Sequence, residues 1–305
     1  MKAIRIHRFG GPEVLQLDEI DVPTAGGDKL LIRVIAASVN PVDYKIRRGG
    51  YPRVKEEDLP VTLGRDVAGV VETAAGEFKV GDEVFAHLAW SEGGYAEHAV
   101  VAPAGAALKP KSLDMITAAG VPLVATTAWQ GLFEHGGLKA GQRVLIHGGS
   151  GGVGGYAVQF AHIAGAHVFT TASGDGVKLA KDYGADEVID YRHQKFEDVA
   201  VDLDLVLDLV GGETQERSFA VLKRGGALIS AVQPPNKEIA AEKNIRIERY
   251  IANPNGQELR HFAELIDTGK LKTSLSKTFP LARAADAHRF LESEHPRGKI
   301  VLTVA

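Results

Sequence analysis

The stretch Arg143-Val-Leu-Ile-His147-Gly-Gly149-Ser-Gly151-Gly-Val-Gly154-Gly-Tyr-Ala-Val-Gln-Phe-Ala161 decides how the chain is read. It places Gly149-x-Gly151-x-x-Gly154 directly after an apolar run (Val144, Leu145, Ile146). A helical pattern follows at once (Val153, Ala157, Phe160, Ala161, Ala164). In that context Gly149 permits a tight turn, Gly151 lets the backbone approach a pyrophosphate, and Gly154 lets the helix sit close to its strand. The free N–H groups and positive dipole end of the helix then attract the anion. With 35 glycines in 305 residues a chance match is easy, and the alternative is a glycine-rich turn without a ligand. The strand-turn-helix setting favours a dinucleotide site.

Strands and helices alternate outward from this loop. Strands are expected at 144–146, 167–172, 187–190, 203–208, 227–232 and 245–251, with helix patterns in the first four gaps around Ala157, Lys178, Phe196 and Phe219. Six such strands predict an α/β domain with a doubly wound parallel sheet, whose ligand crevice lies at the strands' carboxyl ends. The first hundred or so residues have a different texture. Short strands (Ile4 and Ile6, then 30–37, 67–71, 83–86 and 95–101) are separated by turns at Gly10-Gly11-Pro12, Gly64, Gly76, Gly81-Asp82 and Gly93-Gly94. That spacing predicts a compact, barrel-like β domain. Residues 112–132 read as largely helical. The tail, with helices at 257–268 and 282–291 and short strands at 275–279 and 299–304, is expected to pack back onto the β-rich domain and to leave a cleft between the two.

Composition narrows the function. A hydrophobic content of 45% and a charged content of 24% are those of an ordinary soluble globule. A formal net charge of −4 offers no electrostatic basis for binding nucleic acid or an anionic membrane. No apolar run reaches the length of a membrane span, and the opening MKAIRIHRFG is too short and polar for a signal h-region, so the cytoplasm is the expected compartment. There is no cysteine, which removes disulfides, thiolate nucleophiles and sulfur-ligated zinc. The 11 histidines include no pair spaced by two to four residues, so no local metal pair is expected.

The second strand sharpens the nucleotide. An NAD site commonly has Asp or Glu at its end to hold the ribose 2′-hydroxyl. Here Ser173 stands there, nineteen residues after Gly154, with Lys178 on the following helix. A hydroxyl and an ammonium suit a 2′-phosphate, which a carboxylate repels. Asp175, between Gly174 and Gly176, reads as a turn residue and helix N-cap set back from the strand end. The expected cofactor is NADPH. Taken alone, Lys178 also reads as a solvated helix lysine.

Several ordered segments resemble the zinc-independent medium-chain dehydrogenases/reductases, in particular the quinone oxidoreductases and enone reductases. They are Gly10-Gly-Pro-Glu-Val-Leu15, Ala37-Ser-Val-Asn-Pro-Val-Asp43, Leu63-Gly-Arg-Asp-Val-Ala-Gly-Val70, Gly81-Asp-Glu-Val84, Gly93-Gly-Tyr-Ala-Glu97, Thr127-Ala-Trp-Gln130, the loop from His147 to Gly154, Asp208-Leu-Val-Gly-Gly212 and Arg297-Gly-Lys-Ile-Val301. The resemblance implies a GroES-like catalytic domain (1–118 and 255–305) and a Rossmann NADPH-binding domain (119–254). Where zinc-dependent relatives place a cysteine ligand this chain has Asn40, and at their Gly-His-Glu it has Gly64-Arg65-Asp66. Alcohol oxidation needs a Lewis acid to ionise the hydroxyl. Without one, the expected reaction is hydride delivery to an already electrophilic carbon, in a quinone or at the β-carbon of an enone or enal.

The same resemblance supplies site residues. Asn40 is implied as a hydrogen-bond donor to the acceptor oxygen. Asp43 is either a second site residue or a structural one, fixing the loop after Pro41. Tyr44 and Tyr51 line the pocket or relay a proton, with plain packing as the alternative. Thr127 approaches the nicotinamide; Ser150, Gly151, Gly152 and Val153 contact the pyrophosphate; Ser173, Lys178 and Tyr191 contact the 2′-phosphate. Loops 208–211 (Asp208, Val210) and 231–233 (Ala231, Gln233) border the crevice. Arg65 either favours an anionic intermediate or pairs with Asp66 or Asp43. An enoyl-thioester reductase is the enzymatic alternative, and a non-catalytic NADPH-sensing or RNA-binding relative is the alternative of another class. A homodimer is expected through the exposed edge of the last sheet strand, 245–251.

Overall fold

The computed structural model describes residues 1–294 and 296–304. Two compact units emerge. One comprises Met1–Leu123, Asn253–Gly269 and Thr273–Ala305; the other comprises Val124–Ala252 and Lys270–Lys272. The chain begins with β1 (Lys2–Ile6), β2 (Leu15–Glu19), β3 (Leu30–Val39), α1 (Pro41–Arg47), β4 (Val61–Thr62), β5 (Asp66–Thr73), β6 (Glu83–His87), β7 (His98–Val101), β8 (Ala106–Leu108) and α2 (Met115–Ala119). It continues through α3 (Pro122–Trp129), β9 (Arg143–Ile146), α4 (Gly152–Ile163), β10 (His167–Ala172), α5 (Asp175–Asp182), β11 (Glu187–Asp190), β12 (Leu203–Asp208), α6 (Gly212–Ser218), β13 (Leu222–Ser230), α7 (Lys237–Lys243) and β14 (Arg246–Arg249). It ends with α8 (Gly256–Asp267), β15 (Leu275–Pro280), α9 (Ala284–Ser293) and β16 (Lys299–Thr303).

The first unit is β-rich. Its larger sheet runs β15-β16-β3-β5-β6-β8, with β7 also paired to β3, and a smaller sheet runs β2-β1-β4. Strand β3 is the hub, because its apolar residues pair with β16, β5 and β7. The tail therefore contributes β16 directly beside β3. Ile6, Leu30, Ile32, Leu63 and Leu302 are among the residues of one continuous core. Each such fully buried aliphatic side chain contributes about 1.5–3 kcal/mol.

The second unit is the expected doubly wound sheet, in the order β11-β10-β9-β12-β13-β14 and parallel throughout. Its strand order reverses between β9 and β12, which puts the ends of β9, β10, β12 and β13 around one crevice. Three local expectations are corrected. The third crossover is a 3-10 turn over Phe196–Asp198 rather than a helix. Phe196 and Ala200 are both buried there, and Asp202 has φ 51°, so the short connection turns back before a helix can extend. The fifth gap does hold a helix, α7, capped by Asn236. Strand β13 starts at Leu222, five residues before the expected 227.

Candidate active site

At the end of β9 the chain turns at Gly148, whose φ of 77° is left-handed; Gly149 is not the turn residue. Gly149 lacks a side chain for a different reason. A β-carbon there would lie 2.1 Å from Thr170 Oγ1 on β10. A β-carbon on Gly154 would lie 2.1 Å from the Gly148 carbonyl oxygen, so only glycine lets α4 start this close to the turn. The turn is fixed from beneath: Gly149 N–H donates to Thr171 O (2.9 Å) and Gly148 N–H to Thr171 Oγ1 (3.0 Å). His147, fully buried, bridges Ser218 Oγ (2.9 Å) and Thr171 Oγ1 (3.3 Å), and burial pulls its pKa down to about 4. Gly151 caps α4 without a side chain, so the first amides of the helix, around Gly152 and Val153, have no side-chain acceptor. Ser150 and Val153 are half-buried at this helix start.

The end of β10 brings two hydroxyls together. Ser173 Oγ donates to Tyr191 Oη at 2.9 Å, and Tyr191 stands just past β11 with its ring largely exposed. Lys178 does not join them. It projects from α5 and pairs with Asp182 one turn on, at 2.8 Å. Asp175 is the first residue of α5, and Gly174, with φ 54°, is its N-cap, because a left-handed residue is needed there.

Asp208, expected at the crevice, organises the loop after β12. It is fully buried and its carboxylate accepts four donors: Val210 N (3.0 Å), Gly211 N (2.8 Å), Gln215 Nε2 (2.9 Å) and Ser230 Oγ (2.8 Å). Val210 is left 53% exposed beside the glycine turn. Gln233 is tied to the same network through Gln215, and Ala231 N–H donates to Asp208 O. Thr127 lies on α3, half-buried, with its carbonyl accepting from Tyr250 Oη at 2.7 Å.

In the β-rich unit the segment after β3 is a helix, where a loop was expected. Asn40 is its N-cap, Pro41 occupies N1, and Asp43 Oδ2 accepts from Asn40 N–H at 2.8 Å. Asn-Pro-x-Asp is a helix-start signal that the sequence carried in plain view. Asn40 is 1% exposed and its amide is spent inside the protein. Nδ2 donates to Asp66 Oδ2 (2.9 Å) and Ser38 Oγ (3.2 Å), and Oδ1 accepts from Lys299 Nζ (2.5 Å). Both N–H groups of Asn40, expected to donate to a substrate oxygen, thus have acceptors within the chain. Burial pushes the Asp66 carboxyl up and the Lys299 ammonium down, each towards its neutral form.

Asp43 anchors a second chain of contacts. Tyr95 Oη donates to its Oδ2 at 2.8 Å and lies 3.3 Å from His288 Nε2. Arg47 then joins His288 Nδ1 (3.0 Å) to Glu292 (2.8 Å). Asp43 Oδ1 is buried with no hydrogen-bond partner, and burial raises the carboxyl pKa to about 6. Tyr95, Lys299 and His288 were not singled out from sequence, and Asp66 only as a partner for Arg65, because they meet Asn40 and Asp43 only through long-range pairing. Tyr44 is half-buried under Arg48, and Tyr51 stacks on Trp90 at 4.8 Å. Arg65 pairs with neither Asp66 nor Asp43. Its guanidinium donates to the Leu88 and Glu92 carbonyls and lies over Trp90. Among the described residues, no group of three or more His, Asp or Glu is placed to hold a metal ion.

Known proteins resemble this chain in sequence and fold. A zinc-binding dehydrogenase model matches residues 183–302, and an alcohol dehydrogenase GroES-like domain model matches 26–111. The chain is 37% identical to the chloroplastic NADPH-dependent alkenal/one oxidoreductase of Arabidopsis thaliana, covering 99% of this chain and 79% of that one. The solved quinone oxidoreductase of Coxiella burnetii superposes with a TM-score of 0.92 at 35% identity, over 100% of this chain and 99% of that one. The Escherichia coli quinone oxidoreductase solved in complex with NADPH gives a TM-score of 0.90 at 28% identity, over 99% of this chain and 100% of that one. With a GroES-like unit, a Rossmann unit and full-length relatives of this identity, the chain belongs to the medium-chain dehydrogenase/reductase family of oxidoreductases, among the quinone and alkenal/one oxidoreductases.

Proposed function

We propose that the protein is an NADPH-dependent, metal-free reductase of quinones and α,β-unsaturated carbonyls. The observation that carries this reading is the Ser173–Tyr191 hydroxyl pair at the end of β10, the strand next to β9 and its glycine cradle in sheet order. The fit of the residues to the cofactor supports it. β-Carbons on Gly149 or Gly154 would fill the space the turn needs, and the first amides of α4 are left for an anion.

In this reading Ser150, Gly151, Gly152 and Val153 hold the pyrophosphate. Ser173 and Tyr191 hold the 2′-phosphate, with Lys178 swinging from Asp182 to join them. Asp208, through Val210 and Gly211, keeps the loop after β12 rigid, and Gln233 and Ala231 do so after β13. Thr127 borders the nicotinamide. When bound, NADPH supplies a hydride to the acceptor carbon, and one proton from water completes the saturated carbonyl or the hydroquinone. Asn40 acts as a positioning residue that ties β3, β5 and β16 together, and Tyr44 and Tyr51 line the acceptor pocket. The metal-free reading rests on Asn40 and Arg65 standing where zinc-dependent relatives have ligands. The homodimer reading rests on β14, which is the outer strand of its sheet.

A binding titration tests the cofactor. NADPH should bind at least about tenfold more tightly than NADH, a difference of ~1.4 kcal/mol, and Ser173→Asp should narrow the gap. Equal binding of both nucleotides by the unaltered protein would sink the assignment. A screen of NADPH oxidation against quinones, enals, enones and an enoyl-CoA tests the acceptor. Activity that disappears on exhaustive chelation and returns with zinc would overturn the metal-free reading.

A further inference from the structure

Gly148 is where the chain between β9 and α4 turns left-handed, and both peptides that flank it are tied to one residue of β10. Gly148 N–H donates to Thr171 Oγ1 (3.0 Å), and Gly149 N–H donates to the Thr171 carbonyl (2.9 Å). Held this way, the Gly148 carbonyl accepts from Gly151 N–H at 3.0 Å and closes the turn ahead of α4. The Thr171 hydroxyl is the pivot of the cradle. Its second contact is His147 Nδ1, at 3.3 Å.

The direction of that hydrogen bond follows from the far side of the ring. His147 Nε2 lies 2.9 Å from Ser218 Oγ, and Ser218 gives its single hydroxyl proton to the Thr214 carbonyl at 2.6 Å. Towards His147 the Ser218 oxygen can then only accept, so the ring carries a proton on Nε2. The imidazole is fully buried, with the Phe196 ring edge-on at 4.8 Å. Burial, opposed by the Asp208 and Glu197 carboxylates and aided by Arg217, lowers its pKa to about 4 and keeps it neutral. A neutral ring protonated on Nε2 has a bare Nδ1, which accepts from Thr171 Oγ1–H and leaves lone pairs on that oxygen for Gly148 N–H. From Gly148 through Thr171, His147 and Ser218 to Thr214, each donor feeds the next acceptor. All of these residues lie in the Rossmann unit.

We infer that His147 is a positioning residue for nucleotide binding: its neutral, Nε2-protonated ring aims the Thr171 hydroxyl and so locks the glycine turn to α6, the helix that follows the loop after β12. The inference rests on the reading of the glycine cradle as the pyrophosphate site and adds the device that holds the cradle in shape.

Two measurements test it. The ring nitrogens are read by NMR of the full chain carrying isotope-labelled histidine, with the His147 signals identified by their loss in His147→Gln. At pH 7 Nε2 should carry the proton and Nδ1 should not, and Ser218→Ala should raise the share protonated on Nδ1. A proton on Nδ1 in the unaltered protein, or a spectrum that Ser218→Ala leaves unchanged, overturns the inference. The second measurement is nucleotide affinity. Thr171→Val keeps the shape of the side chain without its hydroxyl, so NADPH affinity should fall by about tenfold, and Thr171→Ser should stay within about threefold of the unaltered protein. Binding of 2′-AMP, which has no pyrophosphate, should be unmoved by either change; an equal loss for 2′-AMP would mean general damage and would overturn the role. Gly154→Val separates the two possible failures. A loss of NADPH affinity there but not in Thr171→Val sinks the His147 role alone, and no loss in either sinks the pyrophosphate reading as well. If Thr171→Val does not fold, the ring spectrum decides.

Discussion

The two units build their polar sites from opposite materials. In the Rossmann unit the site is made by leaving side chains out: Gly149 and Gly154 have no room for a β-carbon, and Gly151 caps α4 with backbone alone. In the β-rich unit it is made by crowding side chains in, with Ser38, Asn40, Asp43, Asp66, Tyr95, His288 and Lys299 buried against one another. The first kind of site presents unsatisfied amides to a ligand. The second has satisfied nearly all of its groups internally and sets the backbone that carries the neighbouring residues. A backbone cradle selects by the room and dipoles it offers, whereas a buried polar cluster fixes position at the cost of desolvation.

That contrast can be broken at its strongest points. Lys299→Met should be the most disruptive change, because it leaves Asn40 Oδ1 and the Val39 carbonyl without their donor and Asp66 without a nearby cation. Removing one partner from such a cluster costs about 3–5 kcal/mol. Hydrogen exchange of β3 and β16 under native conditions would read the loss, and unaltered protection there would show that the cluster does not hold the sheet. Gly154→Val comes next. Its β-carbon collides with the Gly148 carbonyl, so NADPH affinity should fall by about a hundredfold, ~2.7 kcal/mol, with the β-rich unit's melting untouched. An affinity within threefold of the original would mean that the turn opens at little cost.

The smallest effect is a pH dependence confined to the crowded site. Asp43 has a folded pKa of about 6, above the 3.8 of an unhindered aspartate. The native state therefore keeps a proton that the unfolded chain has released, and Asp43 favours folding below about pH 4. That contribution is lost progressively as the pH rises from about 4 through about 6. The buried neutral histidines act in the other direction. His288 and His87, both pulled to about 3 by burial, remove stability as the pH falls below 6.5. The Asp43→Asn protein should therefore lack the decline between pH 4 and 6 when its melting curve is subtracted from that of the unaltered protein. Parallel curves would show that Asp43 titrates as it does in water.

The same division governs what could be read from sequence. The glycine cradle, Ser173 and the six-strand alternation are contiguous patterns, so spacing alone locates them, although the turn itself lies one residue earlier, at Gly148. Ser173's partner Tyr191 comes from the neighbouring parallel strand, and only the family resemblance supplied it. The crowded site is not contiguous. Asn40 meets Asp66 across 26 positions and Lys299 across 259, and Asp43 meets Tyr95 across 52. No local period encodes such pairings, so Asn40 read as a free donor when its amide was already spoken for. The helix after Asn40 is legible from Asn-Pro-x-Asp, since proline suits the first helical position as well as a loop.

Strand β16 gives this arrangement a timetable. Lys299 reaches Asn40 from a strand made 259 residues later. Residues 124–252 are complete well before then, and domains fold as units during synthesis. The nucleotide-binding half can thus mature on the nascent chain, whereas the β-rich half must wait, with the Asn40–Asp66 pair short of its ammonium, until β16 has been made. Synthesis runs from one end to the other, but the first half begun is the last half finished.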